Sequence, residues 1–145
     1  MFARLMAARE KEEGFTLIEL LVVIIIIGIL AAIAIPVFLN QRSKGWDSAV
    51  KADLRNAATA QETYLTEHPT YSGESPVAAE LTGVGFKYSP GSNYSAGTAA
   101  IAVTPTTPTN QSYCLMATSA SGKQFVYSSP AGLGEVGVNG VAACS

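Results

Sequence analysis

The chain carries little charge, and its basic residues are thinly spread. Charged residues make up 14% of its 145 residues, against the roughly 25% typical of soluble domains, and the formal net charge is -2. The basic residues beyond position 20 are scattered over more than eighty positions: Arg42, Lys44, Lys51, Arg55, Lys87 and Lys123. Because tight nucleic-acid binding needs clustered basic side chains, we predict no strong nucleic-acid binding.

Residues that carry catalytic or metal chemistry are equally scarce. His68 is the only histidine, and Glu135 is the only carboxylate side chain after Glu80. No nucleophile, paired carboxylate or metal-spaced cluster accompanies His68, which we interpret as a polar surface residue at a helix end. A calcium site of oxygen ligands is disfavoured for the same lack of carboxylates. The sequence therefore predicts no enzyme, no metal site and no cofactor.

One uncharged run accounts for the apolar excess of a chain that is 48% hydrophobic. Residues 20–39 are twenty consecutive positions without a charge, against the ~20 apolar residues that a helix needs to cross a bilayer core. The run is therefore a membrane segment by length. Residues 1–14 before it are polar, with three basic and three acidic side chains, and are interpreted as a leader.

Two features of this region have alternative interpretations. The first is the triplet Ala32-Ile33-Ala34, which fits a small-x-small cleavage site and so allows a secretory signal cut after Ala34, although the apolar run continues to Leu39. Glu19 is the other, since an acidic group at the centre of a membrane helix costs about 2.5 to 3.5 kcal/mol. Taken alone, Glu19 could lie close enough to the bilayer edge to reach water.

The whole N-terminal string narrows these alternatives. Residues 14–20, GFTLIEL, followed by LVVIIIIGILAAIAIPVFLNQR, closely resemble the N-terminus of type IV prepilins, and the resemblance covers about residues 10–68. It implies cleavage after Gly14 by a prepilin peptidase and methylation of the new amine on Phe15. It also implies that Glu19 pairs with the N-terminal amine of a neighbouring subunit.

Gly28 and Pro36 interrupt the apolar helix. Glycine weakens helix propensity and proline removes one backbone hydrogen bond, so we predict a kink near Pro36. In pilins that this chain resembles, the segment between the matching glycine and proline loses helicity when the filament packs, which here corresponds to residues 28–36.

The predicted fold class is α+β, a long N-terminal helix on a small antiparallel sheet, as the pilin resemblance also implies. The helix covers about residues 15–67 and ends before Pro69. Its second half has an apolar stripe at helical spacing that we expect to pack on a sheet of the same chain: Val50, Leu54, Ala57, Ala58, Gln61, Tyr64 and Leu65. Residues 70–110 are expected to contain long loops.

Four short segments have strand character, namely residues 99–103, 113–118, 124–128 and 135–141, with a turn at Ser121-Gly122. The expected organisation is therefore a leader (1–14), a transmembrane and assembly helix (15–39), an amphipathic helix (40–68) and a globular head (69–145).

Cys114 and Cys144 are the two cysteines, and both follow the membrane run. An oxidising, extracytoplasmic location would let them pair. Related pilins often carry a C-terminal disulfide loop, which favours a structural bond over free thiols. Such a bond would contribute about 3 to 4 kcal/mol by the loop-entropy model.

The resemblance implies a filament subunit. Its partners would be other pilin subunits in a helical homo-oligomer, the prepilin peptidase and methylase, and the pilus assembly machinery of the inner membrane. The chain would be a single-pass protein of the cytoplasmic membrane before assembly and part of an extracellular filament afterwards.

Three rival interpretations stay open: a pseudopilin of type II secretion, a secreted protein cut after Ala34, and a membrane-anchored binding protein that never assembles. Pseudopilins often bind calcium, so the scarcity of late carboxylates favours a pilin.

Overall fold

The computed structural model describes residues 14–73, 75–77, 79–97, 99–104 and 111–144. Nearly all of the predicted leader, residues 1–13, lies outside this part of the chain. The chain divides into two compact units, Met1–Leu39 and Asn40–Ser145.

Helix α1 covers Leu17–Glu67. Within the second unit its predicted apolar stripe is confirmed, because Val50, Leu54 and Ala57 are fully buried and belong to the core of the head. Leu115 and Phe125 of the sheet, both fully buried, belong to the same core. Tyr64 and Leu65, further along the stripe, are partly buried against that core. The predicted packing of a helix on a sheet of the same chain is thus present.

The sheet has four antiparallel strands in sequence order: β1 (Ala102–Thr104), β2 (Cys114–Thr118), β3 (Gln124–Ser128) and β4 (Gly132–Glu135). In the central pair, Met116 faces Val126. The strand bounds for β2 and β3 agree with the prediction to within one residue. The turn between them is also as predicted, because Gly122 has a φ of 87° and donates its N–H to the Ser119 carbonyl at 2.9 Å.

The prediction of a strand over residues 135–141 is wrong. Strand β4 is Gly132–Glu135, and the chain then turns back on itself, with Gly137, Asn139 and Gly140 all at positive φ. The N–H of Gly137 bonds to the Val141 carbonyl at 2.9 Å, which closes the turn. The valines at 136, 138 and 141 suggested an extended strand, but the left-handed residues between them cannot continue one.

The described part of residues 70–110, which ends at Thr104, contains more regular structure than the expected loops. Helix α2 covers Ala79–Gly83, and a 3₁₀ helix covers Gly91–Asn93. Residues in and beside these helices belong to the core, since Leu81 of α2 is fully buried and Phe86 and Tyr94, which follow the two helices, are nearly so.

Cys114 and Cys144 form a disulfide with a Cα–Cα distance of 5.8 Å. The bond joins the first residue of β2 to the C-terminal segment. That segment also lies close to β4, because a Cβ placed on Gly134 would lie 2.9 Å from the Val141 side chain. The disulfide implied by the resemblance is therefore present.

Candidate functional site: the apolar N-terminal helix

The N-terminal part of α1 exposes a large apolar surface. Eighteen large apolar side chains between Phe15 and Leu39 are 44 to 80% exposed. The most apolar window of the helix is long and hydrophobic enough to span a membrane, with a mean hydropathy of 3.3, and none of it is buried. Fully burying one such side chain contributes about 1.5 to 3 kcal/mol, so this surface is highly unfavourable in water. It needs lipid or other apolar helices around it.

A capping box begins α1. Thr16 precedes the first helical residue, and its Oγ1 accepts the N–H of Glu19 at 3.2 Å. The Glu19 Oε2 in turn accepts the Thr16 N–H at 3.1 Å and the Thr16 hydroxyl at 3.0 Å. This reciprocal pairing satisfies backbone donors that the start of a helix leaves without partners. The T-x-x-E spacing is readable from sequence, although the capping box was not among the predicted features.

The capping box fixes where the Glu19 carboxylate lies. Its negative charge is in the first turn of α1, where the helix dipole favours an anion. The hydrogen bonds from Thr16 end on Oε2, and within the described residues no donor reaches Oε1. One carboxylate oxygen therefore remains available to a donor from outside the chain.

Four other residues of the predicted site lie in the apolar part of α1 or directly before the helix. Gly14 and Phe15 directly precede the capping box, and Phe15 is 80% exposed. A Cβ added to Gly28 would meet nothing within 4 Å. Residues 28–36, including Pro36, are helical in the isolated chain. The kink and the loss of helicity in a packed filament stay predictions.

His68 lies just after the end of α1 and contacts Tyr64. The two rings stack with centroids 3.9 Å apart, and His68 Nδ1 lies 3.1 Å from the Tyr64 carbonyl oxygen. In the part of the chain that the structure describes, no group of three or more His, Cys, Asp or Glu side chains could hold a metal ion.

Buried carboxylates, which were not among the predicted features, connect α1 to the rest of the head. Asp53 is 2% exposed. Its Oδ2 accepts the Ser89 N–H at 2.9 Å and the Tyr94 hydroxyl at 2.5 Å, and its Oδ1 accepts the Ser89 hydroxyl at 2.8 Å. Asp47 accepts the Ser121 hydroxyl at 2.5 Å. Charge-assisted hydrogen bonds of this kind are roughly twice as strong as neutral ones.

Burial and nearby carboxylates of α1 raise the pKa of two tyrosines of the head. Burial, reinforced by hydrogen bonding to Asp53, raises the pKa of Tyr94 far above its usual value. Burial and the Glu62 carboxylate raise the pKa of Tyr113. The Tyr113 hydroxyl donates to Glu62 Oε1 at 3.2 Å and to the Ala58 carbonyl at 3.3 Å. The head thus depends on neutral phenols that donate to α1.

A small α+β head whose first helix begins as a long exposed apolar segment is the arrangement of the type IV pilin fold. Comparison with known proteins agrees with this class. Residues 9–35 match the prokaryotic N-terminal methylation motif.

The chain is 35% identical over 118 residues to the major component of the type IV wide pilus of Thermus thermophilus, covering 81% of this chain and 82% of that protein. It is 47% identical over 62 residues to the type IV major pilin of Myxococcus xanthus, covering 43% of this chain and 28% of that protein. It is also 35% identical over 63 residues to the type II secretion system core protein G of Pseudomonas aeruginosa, covering 43% of this chain and 44% of that protein. The chain belongs to the type IV pilin family.

Proposed function

We propose that this chain is a structural subunit of a type IV pilus, held in the cytoplasmic membrane before assembly and in an extracellular filament afterwards. The observation that carries the proposal is the surface of eighteen exposed apolar side chains beginning at Phe15. In the proposal residues 1–14 are a leader, 15–39 a membrane and assembly helix, 40–68 an amphipathic helix and 69–145 the head.

Processing at Gly14 creates the subunit that assembles. A prepilin peptidase cuts after Gly14 and the new amine of Phe15 is methylated, which is supported by the match to the methylation motif over residues 9–35. The inner-membrane assembly machinery then moves the subunit from lipid into a bundle of other pilin subunits.

Glu19 makes the filament more favourable than the membrane for this subunit. Lipid tails are as apolar as other helices, so apolar burial alone does not favour a filament over a bilayer. A carboxylate inside a membrane helix is unfavourable, and pairing it with a cationic amine relieves part of that penalty. We propose that Glu19 Oε1 accepts a hydrogen bond from the Phe15 amine of a neighbouring subunit. Each subunit has one Glu19 carboxylate and one Phe15 amine in this region. The two groups meet in one register of packing, so the pair also specifies that register.

Substitution of Glu19 tests this role. Glu19→Leu removes the charge from an otherwise apolar helix, so the precursor should still insert and be cleaved, while surface filaments fall at least tenfold. Glu19→Asp keeps the charge on a shorter side chain and should retain part of the assembly. Immunogold imaging of cells with an antibody to the head, together with immunoblots of the membrane fraction, measures both. Normal filament numbers from the leucine variant would refute the pairing.

A pseudopilin of a type II secretion system is the second candidate. It is favoured by the similarity to the core protein G of P. aeruginosa. A pseudopilin would form a short periplasmic assembly, so the same antibody would label no surface filaments on wild-type cells. Labelled filaments extending from the cell surface would decide for the pilin.

A further inference from the structure

Three residues shortly after the uncharged run have no part in the proposed function. Arg42, Lys44 and Trp46 follow Leu39 within two helical turns of sequence. The side chains of Arg42 and Lys44 are exposed, and Trp46 is half-buried. The Arg42 guanidinium carbon lies 5.0 Å from the centroid of the Trp46 ring.

Neither cation is neutralised by the chain itself. Among the described residues, the ion pair present joins Lys123 to Glu135, and neither Arg42 nor Lys44 has a carboxylate within reach. Asp47, the nearest carboxylate in sequence, is buried and accepts the Ser121 hydroxyl. Both cations can therefore bind an anion from outside the chain.

The two cations lie on different sides of the helix. Successive residues of an α-helix are separated by about 100°, so Arg42 and Lys44 point about 160° apart around the axis. Trp46 lies one turn after Arg42 on the same side. A partner docked on one face could reach only one of the two cations. A surface that surrounds the helix, as a layer of lipid headgroups does, reaches both.

We propose that Arg42, Lys44 and Trp46 form a headgroup collar that binds the phosphates of anionic phospholipids while the subunit is in the membrane. Tryptophan is enriched at membrane interfaces because its ring is apolar and its N–H is polar. Basic residues beside a membrane segment are attracted to anionic lipid. The collar rests on the membrane-inserted state of the proposed function, and it holds the subunit at a fixed depth before assembly.

The single tryptophan of the chain makes the collar directly measurable. The full chain is placed in bilayers of mixed phosphatidylglycerol and phosphatidylcholine, with one or the other lipid brominated on its acyl chains. Quenching of Trp46 by each brominated lipid gives their relative binding. We expect phosphatidylglycerol to be preferred about thirtyfold, the order expected for two basic residues at an anionic surface. High salt should reduce the preference.

Matched variants separate the collar from net charge. Arg42→Gln with Lys44→Gln should abolish the preference, whereas Arg42→Lys with Lys44→Arg should keep it. Arg55→Gln with Lys87→Gln removes the same charge from exposed positions further along the chain and should leave the preference unchanged. Equal quenching by the two lipids in the wild type would overturn the proposal.

Other outcomes identify other partners. If inorganic phosphate removes the preference at an ionic strength at which chloride leaves it intact, the residues bind a free anion and the lipid collar is wrong. If the preference appears only when subunits self-associate, the cations belong to a subunit interface and the collar is likewise wrong. No quenching by either lipid would contradict membrane residence, and the proposed function with it. Cells that lack filaments despite a normal preference would contradict the pilus function alone.

Discussion

The two units of this chain differ in whether their apolar side chains are exposed or buried. In the first, the apolar side chains of residues 15–39 are exposed and no polar group but Glu19 and its capping partner interrupts them. In the second, apolar side chains such as Leu54 and Phe125 are fully buried. Within the described residues, no buried side-chain nitrogen or oxygen lacks a hydrogen-bond partner.

This difference shows which unit is stabilised by contacts within the chain and which depends on its surroundings. The head has its own core, a disulfide and carboxylates paired with donors, so its fold depends on contacts inside the chain. In its described residues, 14–39, the apolar unit is held by helical hydrogen bonds and a capping box, and its environment must come from lipid or other apolar helices. Substitutions in the two units should therefore affect different measurements.

The largest contrast comes from truncating one side chain in each unit. Phe125→Ala should lower the free energy of unfolding of the head by about 3 to 5 kcal/mol, because it leaves a cavity in a packed core. Ile26→Ala should change it by less than about 0.5 kcal/mol, because Ile26 is 51% exposed and outside that core. Urea titration of the full chain in mild detergent compares them. Equal effects would contradict the division into independent units.

Removal of the disulfide should lower the free energy of unfolding of the head by nearly as much. Replacing Cys114 and Cys144 together with alanine opens a bridge of sequence separation 30, which contributes about 3 to 4 kcal/mol by the loop-entropy model. The same urea titration measures the loss, and membrane insertion of the variant should be normal. Finding two reactive thiols per chain in the native wild type would rule the bond out.

High pH should weaken the head through Tyr94. The pKa of this phenol is raised in the folded state above its ordinary value of 10.0, so its stabilising effect is complete below pH 10 and is lost as the pH rises further. One such group changes the free energy of unfolding by about 1.4 kcal/mol per pH unit above that point. Tyr94→Phe should reduce the slope between pH 10 and 11 accordingly. An unchanged slope would show that Tyr94 ionises freely in the folded head.

The smallest effect concerns the capping box. Thr16→Val should destabilise the first turn of α1 by about 1 kcal/mol, which corresponds to roughly fivefold faster amide exchange there. Thr16→Ser retains the hydroxyl and should exchange like the wild type. Hydrogen exchange in detergent micelles provides the comparison. Slow exchange in the valine variant would mean that Glu19 is held by other contacts.

Much of this fold could be predicted from local patterns. The bounds of α1 and the pairing of β2 with β3 follow from periodicity and from a glycine turn. Strand β4 could not be predicted in this way, because Gly132 and Gly134 have no strand propensity. A Cβ at position 134 would lie 2.9 Å from the Val141 side chain, so glycine fits this position better than a residue with a side chain.

The polar contacts of the head depend on distant residues. Asp53 binds Ser89 and Tyr94, which are 36 and 41 positions away, and no local pattern pairs them. The capping box, in contrast, has a spacing of three residues and could have been identified from the T-x-x-E motif. Sequence therefore indicates the apolar helix and its capping box better than the contacts that stabilise the head.

Mass spectrometry of subunits from purified surface filaments tests the central claim most directly. If the apolar helix is the assembly element of a processed pilin, the subunit begins at Phe15 and carries one added methyl group on its amine. A subunit that begins at Met1 or Ile35, or filaments that contain none of this chain, would contradict the account.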